Sequence, residues 1–171
     1  MKEKNLANKK VLVGMSGGVD SSVTAALLVS QGYDVTGAFM KQFSTDSNES
    51  EAKVLTGVCS WKEDRRDAMR VAAKLGIGLI TLDFEKEYRA WVMGYMFDEY
   101  KVGRTPNPDV MCNKYIKFGA WLEKIKELGF DFLATGHYAR VEYDTTKKHV
   151  LLQAKDDNKD QTYFLHQLNQ D

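Results

Sequence analysis

Short apolar runs alternate along this chain with segments that have the periodicity of an amphipathic helix. Residues 11–13 form the first run, and residues 35–40 form a second run that is rich in strand formers. Between them, residues 20–31 have a helical pattern, with Val19, Val23, Ala26 and Leu27 spaced as on one helix face. Continuous apolar runs are typical of strands that are buried on both faces. The pattern therefore predicts a parallel sheet that is covered by helices.

The same alternation continues through the rest of the chain. The further elements that we predict are a helix that ends near residue 75, a strand at 77–82, a helix at 84–102, a helix around 118–128 and a strand at 132–135. Alternating residues at 138–143 and 150–154 flank a polar turn, which indicates an antiparallel hairpin. The predicted fold is α/β, with a doubly wound, mostly parallel sheet, helices on both faces and an appended antiparallel hairpin.

The predicted helix at 84–102 carries aromatic residues at helical spacing. These residues are Phe84, Tyr88, Trp91 and Tyr95. A stripe of this kind is typical of the face that a helix packs against a core. We therefore predict that it faces the core and does not form a platform on which RNA bases stack.

Composition sets limits on the class of protein. With 171 residues, 43% of them hydrophobic and 28% charged, the chain is suited to one folded domain, which we place at 11–171 after a flexible 1–10 segment. No apolar run reaches the length of about 18 residues that suggests a membrane helix, and no signal peptide is visible. Two cysteines exclude a disulfide scaffold, so we expect a cytoplasmic protein. The 24 basic and 24 acidic residues balance, so any RNA binding must come from a local site.

The turn after the first apolar run has the composition of a phosphate-binding loop. Residues 16–22 read SGGVDSS. Adjacent glycines let backbone N–H groups approach an anion, and the start of the following helix adds unpaired N–H groups and a favourable dipole. Neither the Walker pattern nor GxGxxG is present, which argues against the common nucleotide loops. The alternative is a tight turn that is capped by Asp20 and the serines.

Cys112 is the candidate nucleophile. It follows a loop that holds both prolines of the chain, Pro106 and Pro108, and we predict that it opens a helix, where its thiol pKa would be lowered. Lys114 and Lys117 would stabilise the thiolate further. The alternative is a small buried apolar residue. Cys59 has no such setting and is interpreted as structural; no spacing supports a zinc site.

Several motifs together resemble those of one enzyme family. SGGVDSS resembles the pyrophosphate loop of the ATP pyrophosphatase (PP-loop) superfamily, whose members cleave ATP to AMP and pyrophosphate. The further stretches GRTPNPDVMCNK (103–114), ATGHY (134–138) and KDQTYFL (159–165), with residues 14–16 and 39–41, are similar to the tRNA-specific 2-thiouridylase family. The resemblance extends from about residue 10 to residue 170.

This resemblance implies a fold, a reaction and a set of partners. The fold would be the adenine nucleotide alpha hydrolase-like PP-loop fold. The reaction would be adenylation of the 2-carbonyl oxygen of the wobble uridine in tRNA, followed by sulfur transfer from a cysteine persulfide. The reaction would require ATP with Mg²⁺, tRNA and a protein that carries persulfide sulfur. It would not involve a membrane. The Mg²⁺ would come with ATP, and no protein ligand is assigned to it.

The resemblance also implies roles for individual residues. The ATP site would comprise Gly14, Met15, Ser16, Gly17, Gly18, Val19, Asp20, Ser21, Met40 and Gly136. Contacts to the target base and the tRNA would come from Asn107, Pro108, Asp109, His137, Lys159, Asp160 and Gln161. Cys112 would resolve the persulfide by forming a disulfide with a second cysteine. Asp20 would position magnesium, assist proton transfer or cap the helix; the sequence leaves these roles open. Met40 as strand core and His137 as a strand-end residue remain alternatives.

The family pattern continues beyond residue 171 with the second cysteine and further tRNA-binding domains. We therefore expect an N-terminal catalytic fragment that is inactive alone. Two other functions stay open: a nucleotide-binding module without turnover, and another PP-loop ligase that adenylates a small substrate.

Overall fold

The computed structural model of the chain describes residues 9–44, 61–146 and 148–169. Cys59, most of residues 41–60 and most of the predicted flexible N-terminus lie outside these ranges. The chain divides into two units, one comprising Met1–Lys86 with Glu123–Gly136, the other Glu87–Leu122 with His137–Asp171. In the described ranges, no helix has the length and apolar character that crossing a bilayer demands.

The first unit is built on a parallel sheet. Its strands are β1 (Lys10–Gly14), β2 (Asp34–Lys41), β3 (Gly78–Asp83) and β4 (Phe132–Ala134), in the spatial order β3-β2-β1-β4. β1 is central, so Leu12 lies opposite Thr36 of β2 and opposite Leu133 of β4. This arrangement, with the hairpin described below, confirms the predicted α/β fold.

One face of the sheet packs against two helices, α1 (Val19–Ser30) and α2 (Trp61–Leu75). Val11, Val13 and Met15 form a core cluster with Ala25 of α1 and Ala68 of α2. The small side chains of the helices face the strands, whereas Val19, Val23 and Leu27 are exposed. The apolar spacing in α1 therefore predicted a helix correctly but did not mark its packed face.

Two long helices each contain a π-helical segment, and the second begins ten residues before the predicted helix at 118–128. The first consists of α3 (Glu85–Tyr88), a first π segment (Arg89–Met93) and α4 (Gly94–Lys101). The second consists of α5 (Pro108–Met111), a second π segment (Cys112–Ala120) and α6 (Trp121–Glu127). The second helix begins at Pro108, so the prediction that Cys112 opens it is wrong.

The aromatic stripe at 84–95 does not stay on one buried face. Phe84 is buried, but 45% of Trp91 is exposed, while the next residue, Val92, is fully buried. A π turn holds one more residue than an α turn, so the side chains in it and after it rotate about the helix axis. The prediction of a wholly core-facing stripe is therefore wrong for Trp91.

The second unit also contains the predicted antiparallel hairpin. Its strands are β5 (Arg140–Tyr143) and β6 (His149–Leu152), with Tyr143 opposite His149. Asp144 Oδ1 accepts hydrogen bonds from the N–H groups of Thr146 and Lys148, which closes the turn. A 3₁₀ turn at Thr162–Leu165 follows the hairpin.

Candidate nucleotide site and candidate thiol site

The glycine-rich loop connects β1 to α1 in a conformation that requires glycine. Gly17 has a φ of +87°, which side-chain-bearing residues rarely adopt, and a Cβ there would overlap the carbonyl oxygen of Asp64 in α2. Gly18 is the N-cap residue of α1 and has extended backbone angles. The loop backbone is therefore held close against the start of α2.

Serine hydroxyls hold the loop and the first turn of α1 together. Ser21 Oγ accepts from the Ser16 N–H at 3.2 Å and donates to the Gly18 carbonyl at 3.2 Å. Ser22 Oγ donates to the same carbonyl at 2.7 Å. The N–H of Ser22 donates to the carbonyl of Gly18, the N-cap residue of α1, at 3.3 Å. At any helix start the first N–H groups have no acceptor in a preceding turn of the helix. Asp20 lies in the first turn and not at the N-cap, so its predicted role as the capping residue does not fit.

Gly136, which follows β4, lies against this first turn. A Cβ at Gly136 would be 2.8 Å from the amide nitrogen of Ser21 and 2.9 Å from the carbonyl carbon of Asp20. After β1 the chain builds β2 and β3 on one side of β1, and it then crosses to build β4 on the other side. In open α/β sheets, ligands bind at the carboxyl ends of strands at such a switch point. The structure thus brings Gly136 to the predicted phosphate loop.

Two other predicted ATP residues belong to the sheet. The Met15 side chain is buried in the core cluster, and its N–H donates to the Ala38 carbonyl at 2.8 Å. Met40 is half-buried near the end of β2, opposite Leu82. The side chain and the N–H of Met15 are therefore both used within the fold and are not open to a ligand.

In the second unit, the NPD sequence forms the start of the helix that carries Cys112. Asn107 is the N-cap, and its Oδ1 accepts from the N–H groups of Asp109 and Val110 at 3.1 and 3.3 Å. Pro108 occupies the first helical position, where its missing N–H costs nothing. Cys112 follows one turn later and is only 5% exposed.

Burial raises the pKa of the Cys112 thiol above its ordinary value; Lys117 opposes the rise, and Asp109 adds to it. The prediction of a lowered thiol pKa is therefore wrong, because the thiol lies inside the helix packing and not at the helix start. The pKa of Tyr88 is also raised, first by burial and then by the charges of Cys112 and Asp109. The three groups thus form one electrostatically coupled cluster.

Residues 159–161 hold the 3₁₀ turn in place. Tyr138 N–H donates to Gln161 Oε1, and Gln161 N–H donates to the Tyr138 carbonyl, both at 2.9 Å. Asp160 Oδ1 accepts from the N–H of Ala154 and from the N–H and hydroxyl of Thr162. Lys159 Nζ lies 4.4 Å from the Tyr138 ring centroid. The expected tRNA contacts of these residues stay a prediction; what the structure gives them is a role in the fold.

His137 lies beside Phe118, with the ring centroids 5.9 Å apart. Burial, and to a lesser extent the charge of Lys117, lowers the pKa of His137 to about 4. The imidazole is therefore neutral at neutral pH. Any contact to RNA by His137 would be stacking or a neutral hydrogen bond, and not an ion pair with phosphate.

Residues 9–171 match the family described as tRNA methyl transferase HUP domain. The chain belongs to this family. It is 55% identical over 164 residues to the tRNA-specific 2-thiouridylase MnmA of Lactiplantibacillus plantarum, which covers 95% of this chain and 42% of the relative. It is 56% identical over 167 residues to the protein of the same name from Listeria monocytogenes, covering 98% and 43%.

The HUP-domain chain thus spans less than half the length of these curated relatives. Among solved structures, a predicted tRNA methyltransferase subunit from Methanocaldococcus jannaschii has 19% identity and a TM-score of 0.49, covering 81% of this chain and 60% of that one.

One residue of this HUP-domain chain was missed by the sequence reasoning. Asn113, next to Cys112, is 3% exposed, and its Nδ2 donates to the Phe164 carbonyl at 3.0 Å. Its Oδ1 is buried without a hydrogen-bond partner among the described residues. A polar residue three positions before the fully buried Ile116 was the available signal, since that spacing places it on the packed face. Asn113 ties the Cys112 helix to the 3₁₀ turn.

Proposed function

We propose that this chain is the ATP-using part of an enzyme that replaces the 2-carbonyl oxygen of the wobble uridine in tRNA with sulfur. The close approach of Gly136 to Asp20 and Ser21 carries the proposal. It sets the residues that directly follow β4 beside the SGGVDSS loop at a ligand-binding position of the sheet. The names of the curated relatives support the tRNA substrate and the thiolation reaction.

The first step is adenylation of the uridine. The N–H groups at the start of α1 and the loop hydroxyls bind the pyrophosphate of ATP, since a helix N-terminus favours anions. The uridine 2-carbonyl oxygen forms a bond to the α-phosphorus as the bond to pyrophosphate breaks. Magnesium, when bound with ATP, neutralises phosphate charge. The described residues contain no cluster of three or more metal-binding side chains.

The second step moves sulfur to the activated carbon. The terminal sulfur of a persulfide, on a second cysteine, bonds to uridine C2 as the bond from C2 to the AMP oxygen breaks. The Cys112 thiolate then attacks the inner sulfur, the bond between the two persulfide sulfurs breaks, and 2-thiouridine leaves with that electron pair. Cys112 and the second cysteine end as a disulfide, which an external thiol must reduce.

The buried setting of Cys112 has a consequence for this step. Because burial raises the thiol pKa, the resting group is a protonated thiol that is protected from oxidation. Lys117 supplies the positive charge that favours the thiolate when a proton acceptor becomes available. We place this activity in the cytoplasm, with ATP, tRNA and a persulfide carrier protein as partners.

A chimera tests the function. The matching segment of the Listeria monocytogenes relative is replaced by this chain, and 2-thiouridine in tRNA is measured by mass spectrometry with ATP and a persulfide donor. The chimera should form 2-thiouridine, whereas Cys112→Ala in it should abolish the product and leave ATP binding nearly unchanged. Product formation by the Cys112→Ala chimera would refute the role of Cys112, and a chimera that binds tRNA without thiolating it would refute the function.

A second candidate function is a nucleotide-binding module that does not turn over ATP. It is favoured by the geometry of the glycine-rich loop and of Gly136, which bears on nucleotide binding and not on turnover. The chain alone is incubated with ATP, tRNA and a persulfide donor. Formation of any 2-thiouridine argues against the module, and ATP binding without product supports it.

A further inference from the structure

The second unit contains a cleft that the nucleotide loop and the thiol do not account for. Its volume is about 610 Å³, within the range of sites for small ligands. The lining residues are Ala90, Trp91, Tyr95, Met111, Lys114 and Tyr115. Three of these six side chains are aromatic, and one is a cation.

The two π segments form most of this cleft. They contact each other, the first contributing Ala90 and Trp91 and the second Lys114 and Tyr115. π-helical turns are rare and are frequently found at functional sites. Four of the six lining residues thus come from the two stretches where the helical geometry is unusual.

Both π segments present an aromatic ring beside a buried anchor. Trp91 is 45% exposed and is followed by the fully buried Val92; Tyr115 is 42% exposed and is followed by the fully buried Ile116. The buried neighbours fix the backbone that carries the two rings, and the rings themselves stay exposed. Aromatic side chains have only two torsion angles, so they offer contact area at a low cost in conformational entropy.

A cation accompanies the rings. Lys114 Nζ lies 5.1 Å from the Tyr115 ring centroid and 3.3 Å from Gln167 Oε1. Aromatic faces with a nearby cation are the combination that binds single-stranded nucleic acid, since bases stack on the rings and phosphates pair with the charge.

We propose that this cleft binds an unstacked nucleotide of single-stranded RNA, with its base on Trp91 and Tyr115 and its phosphate at Lys114. The proposal rests on the proposed function, which supplies a tRNA loop as the substrate. It is separate from the expected target-base contacts at Asn107, Pro108 and Asp109. Met111 and Lys114 flank the turn of Cys112, so the bound nucleotide is assigned as a neighbour of the reacting uridine in the loop.

Binding of a labelled seven-nucleotide RNA, measured by fluorescence anisotropy on the chain, tests the cleft. Trp91→Leu and Tyr115→Leu should each weaken binding about tenfold, since a lost base stack has an effect of this order. Trp91→Phe should retain most of the affinity. Phe97→Leu is the matched control, because Phe97 is 47% exposed on the neighbouring helix α4 and does not line the cleft.

An abasic oligonucleotide of the same length separates stacking from charge. It should bind more weakly than the RNA and equally to the native chain and to Trp91→Leu. The proposal is overturned if the native chain does not bind the RNA, if Trp91→Leu and Tyr115→Leu bind it like Phe97→Leu, or if the abasic probe binds as well as the RNA. Capture of an apolar peptide with no RNA binding would indicate a protein site instead and would also overturn it. Circular dichroism checks that each variant is folded, and Tyr115→Leu decides if Trp91→Leu unfolds.

Separate results refute the RNA-binding role of the cleft and the proposed thiolation function. A chimera with Trp91→Leu and Tyr115→Leu that forms 2-thiouridine at native efficiency, at limiting tRNA, refutes the cleft and leaves the function standing. A native chimera that makes no 2-thiouridine refutes the function, while the oligonucleotide measurements still decide the cleft.

Discussion

The α-carbon of Gly136 lies so close to the first turn of α1 that a side-chain carbon there would be 2.8 Å from the amide nitrogen of Ser21. That nitrogen belongs to the group of helix-start N–H donors that suit a phosphate. Because Gly136 has no side chain, the segment that follows β4 can lie against this turn without displacing these donors.

Gly136→Ala should weaken ATP binding at least tenfold and lower the free energy of unfolding by about 1–3 kcal/mol, because the added methyl group overlaps backbone that cannot move cheaply. Isothermal titration calorimetry and urea unfolding measure the two effects. Gly78→Ala is the control, since a Cβ at Gly78 meets its nearest neighbour, a Thr36 methyl, at 4.0 Å. Equal ATP affinity in the two variants would contradict the assigned contact.

Cys112 should be alkylated by iodoacetamide more slowly than a free peptide thiol, with a pH midpoint above that of the peptide, because burial raises its pKa. The measurement is made in a Cys59→Ser background, so that only one thiol reacts. Lys117→Ala should move the midpoint higher still, since Lys117 lowers this pKa. A midpoint below that of the peptide would show that the thiol is activated at rest, contrary to the structure.

His137 should make the protein less stable as the pH falls below neutral. Its pKa is about 4 when folded, against 6.5 ordinarily, so the unfolded chain binds a proton first. The stability from His137 is fully present above pH 6.5 and is lost as the pH falls towards 4.

Urea unfolding at several pH values between 7.5 and 4.5 measures this loss. The number of protons taken up on unfolding should be lower in His137→Gln than in the native chain, by up to one. His166→Gln, at an exposed position, is the control. The assignment fails if the pH dependence of His137→Gln matches that of the native chain.

Asn113→Ala should lower the free energy of unfolding by about 1–3 kcal/mol, because it leaves the Phe164 carbonyl without its side-chain donor. Amide hydrogen exchange in the 3₁₀ turn should become faster. Lys114→Ala removes the exposed bond to Gln167 between the same two parts of the chain and should change stability far less. Equal losses of unfolding free energy in the two variants would contradict a larger contribution from the buried hydrogen bond of Asn113.

The sequence predicted those features that depend on local pattern. Apolar runs separated by helical segments predicted four strands of a parallel sheet and the hairpin, since strand and helix periodicities differ within a few residues. SGGVDSS predicted the loop at the start of α1. In the structure φ is positive at Gly17, and the helix begins two residues later. The predicted single domain at 11–171 and the predicted ligand contacts stay predictions.

The prediction did not extend to side-chain surroundings. Trp91 was expected in the core, but a π turn, which no spacing rule anticipates, places it at the surface next to the buried Val92. Cys112 was expected at an exposed helix start, but Asn107 begins the helix one turn earlier and leaves the thiol buried.

By itself, then, the order of residues determined which segments become strands and helices and where a phosphate-compatible turn would form, because these depend on neighbours along the chain. Only the tertiary structure decided that Gly136 meets Ser21 and that Asn113 binds the Phe164 carbonyl 51 positions away. It alone also decided that burial raises the thiol pKa at Cys112. These properties depend on which distant groups exclude water from a side chain, and that is settled when the elements pack.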